Sequence, residues 1–298
     1  MKKIIFGLIW VAVTIVFLFS CTANTTNELK HITGYYSKNE ISTFWDVTAL
    51  AYAGEDMSAY NITPFLSAEL PEDDYGALSG RIIGLKMLEK SGYDISSQNL
   101  DFLISRLEEL TKKDDAEGYA LPALQRLYGI YALKISDADY SEDNIKSFAS
   151  HLINTYKLED GGFSTFSKSS SDIDTTAFIL PLLCYLDDDK AFADAAKGAS
   201  NFIKRSKNKN DTYSSFGTEN SNSTASALSA LIAAGYTRED DDILNISLAL
   251  STFRLANGGY SYKLYSEATP LSSAQALITF CDLANQSSLW LSILEEKI

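Results

Sequence analysis

The sequence predicts an all-α protein in which six helical hairpins close into a ring of inner and outer helices, an α/α toroid. Three observations predict this fold. Apolar residues recur at helical spacing along most of the chain, a short motif repeats six times, and the first and last predicted helices both carry large apolar side chains.

The helical periodicity covers twelve stretches in which apolar residues return every three or four positions. The stretches are 41–53, 57–66, 74–91, 97–111, 121–135, 141–157, 172–186, 188–205, 221–235, 240–254, 270–285 and 287–298. No stretch shows the convincing alternation of apolar and polar residues that is typical of a strand. The chain is therefore expected to be helical nearly to its end.

A repeated motif pairs these helices into hairpins. Every odd-numbered stretch starts with a four-residue motif whose fourth residue is alanine. The six copies begin at Asp46, Asp74, Ala120, Asp174, Asn222 and Leu271. After the first interval, successive copies lie 46 to 54 residues apart. This spacing fits one helical hairpin with its loops, so the odd-numbered helices are expected to form the inner ring.

The two ends of the helical region indicate whether the hairpins close. An open solenoid needs polar caps at both ends. The first helix instead carries Phe44 and Trp45, and the last carries Trp290 and Ile293. Ring closure would bury these side chains against each other, so a closed toroid is preferred and an open solenoid is the alternative.

The N-terminal residues are typical of an export signal. Lys2 and Lys3 precede an apolar run over 4–19 that ends just before Cys21, which resembles a bacterial lipoprotein signal peptide. The resemblance implies cleavage before Cys21, a lipid on its sulfur, and an extracytoplasmic location at the cell or outer membrane. An uncleaved anchor is the alternative. The predicted domains are a signal peptide over 1–20, a flexible tether over 21–40 and the toroid over 41–298.

Composition excludes some classes of partner. The 298 residues include 25 Lys and Arg against 39 Asp and Glu, which gives a formal net charge of −14. Such a chain would be repelled by nucleic-acid phosphates and by anionic lipid surfaces, so any membrane attachment would depend on acyl chains at Cys21. Cys184 and Cys281 lie in apolar helical segments and are expected to be core thiols.

Over about residues 40–298 the pattern resembles the superfamily of terpene cyclases, protein prenyltransferase β subunits and cobalamin carriers. The segment from Asp172 to Ala177 resembles the DxDDTA motif of class II terpene cyclases. That resemblance implies Asp174 as a general acid supported by Asp172, although Thr175 replaces the third aspartate. Helix capping by either aspartate is the structural alternative.

The same segment also resembles the DTGAMA stretch of the cobalamin carriers intrinsic factor and transcobalamin. Asn222 begins the next inner helix, and Gln275 resembles the glutamine of the QxLPAL stretch in that family. The resemblance implies that Asp174, Asn222 and Gln275 converge on a small ligand at one mouth of the ring, with cobalamin as the specific expectation.

Other catalytic sites find less support in the sequence. A zinc site is not expected, because the two histidines are His31 in the tether and His151 on an outer helix. A glycosidase needs two carboxylates roughly 5–10 Å apart. Asp46 and Asp174 belong to opposite repeats of the ring and are not expected to be that close. Aromatic residues near the inner helices, including Tyr128 and Tyr262, would suit a concave pocket.

The sequence alone therefore favours a lipid-anchored ring that binds a small ligand or a partner protein without catalysis. Two alternatives stay open. One is an isoprenoid-acting enzyme with Asp174 as its acid, and the other is a protein-interaction ring without a small ligand.

Overall fold

A computed structural model describes residues 25–298 except 72, 139 and 168. The predicted signal peptide and Cys21 lie outside the described residues. Within them, the helices are α1 (25–36), α2 (Phe44–Tyr52), α3 (Thr63–Ser67), α4 (Tyr75–Lys90), α5 (Leu100–Ala116), α6 (Ala123–Ile135), α7 (Glu142–Tyr156), α8 (Ile173–Tyr185), α9 (Lys190–Arg205), α10 (Ser221–Ala233), α11 (Asp241–Ser251), α12 (Pro270–Asn285) and α13 (Leu289–Leu294). A 3-10 turn over Met57–Ala59 precedes α3.

The inner ring consists of α2, α4, α6, α8, α10 and α12, which are the helices that carry the repeated motif. Neighbouring inner helices pack side by side except for α6 and α8, which make few contacts, and α12 packs against α2 about as extensively as the other adjacent pairs pack. This closes the ring. Helices α5, α9 and α11 each pack outside the inner helix that precedes them. The predicted all-α toroid is therefore confirmed.

Side-chain size explains which helices lie inside. In α10 every residue except Asn222 is buried, and alanine and serine predominate. Small side chains let an inner helix pack on several sides at once. The outer helix α9 is amphipathic instead and buries Phe192, Ala199 and Ile203 at helical spacing.

The last helix occupies a different position from the one that the sequence suggests. Helix α13 packs against both α6 and α8, where these two inner helices make few contacts with each other. Tyr52, at the end of α2, donates a hydrogen bond to Ser287 O at 3.2 Å. Lys90, the last residue of α4, donates to Ile298 O at 3.2 Å. The segment 287–298 therefore lies across the end of the ring where the inner helices finish, and its interpretation as the last outer helix is wrong.

The outer position beside α12 is occupied by α1, which corrects the prediction of a flexible tether for residues 25–36 of the range 21–40. Glu28 is buried and accepts a hydrogen bond from Tyr260 Oη at 2.8 Å. Tyr36 Oη donates to Asp46 Oδ1 at 3.0 Å and to Pro270 O at 3.1 Å. The N-terminal segment thus joins the first inner helix to the last.

Two glycines show that α1 acts as an outer helix. Gly161, before α8, has a φ of 85° and touches the backbone of Gly198 in α9. Gly258, before α12, has a φ of 89° and touches the carbonyl of His31 in α1. A Cβ at either position would collide with that backbone. Helix α1 therefore packs outside α12 in the same way that α9 packs outside α8.

Short antiparallel hairpins precede two inner helices. Strands β1 (Phe163–Ser164) and β2 (Ser171–Asp172) lead into α8, and β3 (Tyr213–Ser215) and β4 (Thr218–Asn220) lead into α10. The sequence did not predict these strands, because two or three residues are too few to show an alternating pattern.

Two further properties concern the described residues as a whole. Cys184 and Cys281 are free thiols, the second of them buried in the core, and burial raises the pKa of the Cys184 thiol to about 12. Within residues 25–298 as described, none of the helices combines the length and the apolar character that crossing a membrane requires.

Candidate functional site

Helices α8, α10 and α12 begin with the same capping structure. In each, the N-cap side chain accepts a hydrogen bond from the backbone N–H three residues later, a contact that stabilises a helix start by about 1 kcal/mol. The pairs are Asp172 with Thr175 at 2.9 Å, Asn220 with Ser223 at 2.8 Å, and Thr269 with Ser272 at 3.1 Å. Of the two aspartates that the sequence offers as caps, Asp172 is the one that caps α8.

The loop before each of these helices is fixed by a buried aromatic residue. Its backbone N–H donates to a hydroxyl in the first turn of the following helix. The pairs are Phe163 with Thr176 at 2.8 Å, Tyr213 with Thr224 at 3.0 Å, and Tyr260 with Ser273 at 2.9 Å. All three aromatic residues are fully buried. The three helix starts therefore form one rigid, repeating edge.

Hydroxyl groups also connect each helix start to the next. Ser223 Oγ on α10 donates to Asp174 Oδ2 on α8 at 3.1 Å. Ser272 Oγ on α12 donates to Asn222 Oδ1 on α10 at 2.7 Å. Asp174 and Asn222 thus occupy equivalent positions in adjacent repeats, as the sequence alignment of the motifs predicts.

The two aspartates at the start of α8 differ in how fully they are bonded. Asp172 Oδ1 accepts from Ser215 Oγ at 2.6 Å, and its Oδ2 accepts from both the N–H and the hydroxyl of Thr175. Asp174 Oδ2 accepts from Ser223, but Asp174 Oδ1 is buried and has no hydrogen-bond partner. Asp174 is therefore the carboxyl with an oxygen available to a ligand.

The environment of Asp174 favours its protonated form. Burial, followed by the negative charge of Asp172, raises the pKa of Asp174 from 3.8 to about 6. The hydroxyls of Ser223 and Ser215 act in the opposite direction. A substantial fraction of Asp174 is therefore protonated near pH 6, where an ordinary aspartate is ionised.

Aromatic rings surround the interior below Asp174. The ring of Trp45 on α2 lies 6.1 Å from Phe178 and 5.5 Å from Trp290, measured between centroids. Tyr128 on α6 contacts Phe178 at 5.8 Å and Trp290 at 5.9 Å. Burial and the charge of Asp174 both raise the pKa of Tyr128, which places this phenol in the electrostatic field of Asp174.

A small cavity of about 20 Å³, with room for about one water molecule, lies between α2, α8, α10, α12 and α13. Trp45, Phe178 and Trp290 line it together with Ser226 and Gln275. The Gln275 side chain is only 9% exposed, and its Oε1 is buried without a hydrogen-bond partner. The cavity thus combines flat apolar walls with an unpaired hydrogen-bond acceptor.

The structure brings the three predicted ligand-binding residues to one end of the ring. Asp174 and Asn222 lie at the starts of adjacent helices, and Ser272 connects Asn222 to α12. Gln275 lies one turn below Ser272 on α12 and faces the cavity. Asn222 Oδ1 is already bonded to Ser272, so Asp174 and Gln275 are the members with free oxygens.

The sequence did not identify Trp290 as part of this site. From the sequence, this apolar side chain in a C-terminal helix was expected to pack against the first helix where the ring closes. Trp290 does meet Trp45, but it does so inside the ring and lines the cavity. Trp290 reaches the cavity because α13 crosses the end of the ring where the inner helices finish.

Asp46 has a structural role away from this cavity. It is fully buried, and it forms a capping box with Thr43 at the start of α2 while accepting a hydrogen bond from Tyr36. Among the described residues, no group of three or more His, Cys, Asp or Glu side chains is placed to hold a metal ion.

Comparisons with known proteins identify relatives by fold only. No family model matches the sequence. A search of curated proteins finds no match either. The fold is similar to that of a possible GH105 family member from Salmonella enterica, with a TM-score of 0.63, 10% identity, and coverage of 89% of this chain and 94% of that one.

Two other solved structures are similar. An unsaturated glucuronyl hydrolase mutant from Streptococcus agalactiae aligns with a TM-score of 0.63 and 13% identity over 92% of this chain and 93% of that one. A GH76 α-mannanase from Bacteroides thetaiotaomicron aligns with a TM-score of 0.59 and 11% identity over 88% and 95%. At these identities the likeness establishes the α/α toroid fold.

These neighbours correct the functional prediction made from the sequence. They are glycoside hydrolases, whereas the sequence favoured a ring that binds a ligand or partner without catalysis. The resemblance to cobalamin carriers is likewise unsupported, since the neighbours belong to another group of toroids. The prediction failed because it compared short motifs at helix starts, where capping alone selects Asp, Asn and Ser.

Proposed function

We propose that this protein is an enzyme that acts on carbohydrate and that Asp174 is its proton donor. The observation that carries the proposal is the state of the Asp174 carboxyl. It lies at the mouth of the ring, it has one unpaired oxygen, and burial beside Asp172 raises its pKa to about 6.

A general acid works best when its pKa lies near the working pH, because it must be protonated at rest and still release its proton. An unperturbed aspartate, with a pKa near 3.9, is ionised at neutral pH. Asp174 meets the requirement through burial and the adjacent charge of Asp172. Asp172 acts through Asp174, so it is a positioning residue whose own oxygens are held by Ser215 and Thr175.

The solved structures that share this fold support carbohydrate as the substrate class. They are glycoside hydrolases, although their own substrates are not transferred to this chain. The cavity beside Gln275 has room for about one water molecule, so the proposed sugar site lies at the mouth of the ring beside Asp174 and not inside that cavity.

In the proposed reaction, the bond between a sugar carbon and the glycosidic oxygen breaks. The leaving oxygen takes the proton of Asp174, and a water molecule adds its hydroxyl to the sugar carbon. Asp174 serves first as acid and then as base, so the proposed reaction uses one carboxyl in place of the separated pair that the sequence analysis took as the requirement. The proton that the water releases returns to the Asp174 carboxylate. The aspartate pair is then in its starting state, and the net reaction is hydrolysis.

We also propose an extracytoplasmic location with a lipid on Cys21. The support is the sequence of residues 1–21 alone, with its basic start and apolar run before a cysteine. An enzyme held in this way would meet extracellular or periplasmic glycans.

The test is an activity screen of the full-length protein in detergent. The panel contains α-mannan oligosaccharides and unsaturated glucuronyl disaccharides, with product release followed by chromatography. We expect turnover of at least one glycan, and we expect Asp174→Asn to lower it by about 10²–10⁴-fold. Asp188→Asn, which changes an exposed aspartate in a helix-connecting turn, is the matched control and should retain full activity.

Two results would contradict the proposal. One is the absence of turnover for every glycan of a panel broadened to other common linkages. The other is an active protein in which Asp174→Asn is as fast as the Asp188→Asn control.

A further inference from the structure

Three exposed aromatic side chains, which we call the aromatic tips, lie on the hairpins that precede α8, α10 and α12. Phe166 lies in the turn between β1 and β2, Phe216 in the turn between β3 and β4, and Tyr265 in the loop between the paired residues Ser261 and Ala268. Phe166 is 68% exposed, Phe216 is 80% exposed and Tyr265 is fully exposed. The aromatic residue at the base of each hairpin is fully buried instead. A series of exposed apolar side chains on one edge of a protein commonly marks a binding surface.

The backbone of the turns does not require aromatic residues at the tips. Phe216 and Gly217 have φ values of 47° and 75°, and they form the two-residue turn between β3 and β4. A turn with two left-handed residues favours the sequence Asn-Gly, because this conformation is unfavourable for a bulky side chain. Tyr265, with a φ of 67°, is also left-handed. Local geometry therefore favours Asn or Gly at both positions, which indicates that the exposed rings themselves have a role.

Hydrogen bonds hold the three hairpins in a row along the mouth of the ring. Ser215, the neighbour of Phe216, donates to Asp172 Oδ1 at 2.6 Å, which connects the second hairpin to the start of α8. Ser221 Oγ, at the start of α10, donates to Ser261 O at 2.8 Å, which connects the third hairpin to α10. Packed neighbouring helices lie about 8–10 Å apart, so three hairpins in register with α8, α10 and α12 extend over roughly 16–20 Å. This length exceeds that of a disaccharide.

The row of hairpins passes beside Asp174. Thr165, which precedes Phe166, bonds through its hydroxyl to that of Thr175, the residue after Asp174, at 2.8 Å. In the third hairpin, burial and then the charge of Asp174 raise the pKa of Tyr262. A ligand that contacts the tips would therefore extend past the carboxyl that we propose as the proton donor.

The direction of α1 argues against a membrane as the surface that the tips contact. Tyr36, at the end of α1, bonds to the starts of α2 and α12, so this end of α1 lies at the mouth. Thr25, at the other end of α1, is about 16 Å farther from the mouth along the helix axis. The chain from Thr25 back to Cys21 spans at most about 14 Å. The tips are therefore expected to face away from a membrane that holds the lipid proposed on Cys21.

We infer that the aromatic tips bind the sugar rings of a glycan chain, and that the substrate is an oligosaccharide or polysaccharide that spans more than one repeat of the ring. The flat faces of Phe166, Phe216 and Tyr265 match the apolar C–H faces of sugar rings, whose hydroxyl edges remain in water. This inference rests on the proposed function and names the substrate class of the same site. The tips distinguish a chain from a single disaccharide in this account.

The experiment is native electrophoresis of the full-length protein, in nonionic detergent, through gels that contain a soluble polysaccharide. The panel is α-mannan, xylan, pectin and chondroitin sulfate, and a gel without polysaccharide gives the reference mobility. The net charge of −14 drives migration in each gel. We expect at least one polysaccharide to retard the wild-type protein.

Phe216→Asn removes one tip and gives the turn its favoured Asn-Gly sequence. We expect its thermal midpoint to be at least that of the wild type, and its binding of the retarding polysaccharide to be about three- to tenfold weaker, the loss expected for one aromatic contact. Tyr265→Asn, at the second left-handed tip, should behave in the same way. Phe102→Gln removes an exposed phenylalanine near the start of α5, at the other end of the ring, and this control should be retarded as the wild type is.

The outcomes separate this inference from the proposed function. Equal retardation of the wild type and both tip variants would overturn the role of the tips, while turnover that depends on Asp174 would leave a carbohydrate enzyme in place. Retardation by no polysaccharide would overturn the inference. Together with no turnover in the glycan screen, that result would overturn both.

Flotation with vesicles of phosphatidylethanolamine and phosphatidylglycerol tests a membrane as the alternative partner of the tips. We expect the wild type, Phe216→Asn and Tyr265→Asn to float to the same extent. A loss of flotation in the two variants would assign the tips to lipid and would overturn the inference.

Discussion

The two halves of the ring stabilise the starts of their inner helices in different ways. In the half formed by α8, α10 and α12, the helix starts repeat one pattern of caps and hydroxyl bonds. In the half formed by α2, α4 and α6, each start is held individually. Thr43 and Asp46 form a capping box, Asp74 caps α4, and α6 has Pro122 as its N-cap residue and no side-chain cap.

Arg126 in one half and Asp174 in the other show two ways in which this fold buries a charged side chain. Arg126 on α6 is fully buried, and its guanidinium lies 3.2 Å from Asp114 Oδ2 and 2.7 Å from Asp115 Oδ1. It also donates to Tyr75 Oη at 3.1 Å. Asp114 in turn accepts from the N–H of Leu121 at 2.8 Å, which holds the chain just before α6. The paired charges of this half therefore maintain structure.

In the other half, Asp174 has a buried oxygen without a hydrogen-bond partner and a negatively charged neighbour, Asp172. Among the residues that the structure describes, no ion pair holds Asp174 in its ionised form. The comparison separates a buried charge that an ion pair holds in place from a buried carboxyl that is a candidate for function. The predictions below test this difference between the halves.

The largest expected effect is on the paired half. Arg126→Met removes the cation and leaves Asp114 buried without its partner, so we expect the free energy of unfolding to fall by about 3–5 kcal/mol. Urea denaturation measures it. Lys146→Met, which breaks an exposed ion pair with Glu142, is the control and should leave the midpoint unchanged. A loss for Arg126→Met as small as that of the control would contradict the structural role of this cluster.

The second prediction concerns Asp174, whose replacement is expected to raise the stability of the protein. Because its folded pKa of about 6 exceeds the unfolded value of 3.8, its contribution to stability is present at low pH and is lost as the pH rises through 6. Asp174→Asn removes the ionisable group, so the variant does not lose this stability as the pH rises. At pH 8 we expect the variant to be more stable than the wild type by about 2–3 kcal/mol, an advantage that vanishes near pH 4. Denaturation at a series of pH values would show it, and an advantage independent of pH would argue against ionisation of a buried carboxyl.

The smallest expected effect distinguishes adjacent repeats within the polar half. Ser223→Ala and Ser272→Ala remove equivalent hydroxyls, one bonded to Asp174 and the other to Asn222. Each should cost about 1 kcal/mol of stability. Only Ser223→Ala should raise the pKa of Asp174 and move the basic limb of the pH–rate profile upward. A shift of equal size in Ser272→Ala would mean that the hydroxyl on Asp174 has no special role.

The sequence predicted the fold well because helical periodicity and the alanine-ended motif are local signals. It misplaced both chain ends. The Thr- and Asn-rich composition concealed the spacing of Glu28, Ile32 and Tyr36 in α1, all of which are buried. The position of α13 depends on which two adjacent inner helices lie farthest apart. No local sequence pattern predicts that distance.

The sequence grouped Asp174 and Asn222 because equivalent positions in adjacent repeats must be neighbours, and the structure places both at adjacent helix starts. The use of Asp174, Asn222 and Gln275 as one ligand-binding set stays a prediction. Their functional class was wrong because caps and ligand-binding residues use the same amino acids at helix starts. Hydrogen-bond satisfaction, which separates Asp174 from Asp172, depends on contacts with Ser223 and Ser215 from the next repeat.

The most direct test of the account is a titration of the Asp174 carboxyl by ¹³C NMR on aspartate-labelled protein, with the signal assigned by its loss in Asp174→Asn. The account predicts a midpoint near pH 6, and a lower midpoint in Asp172→Asn, where the neighbouring charge is gone but the helix cap is retained. A wild-type midpoint near pH 4 would show an ordinary solvated aspartate and would contradict the assignment of Asp174 as the acid of this site.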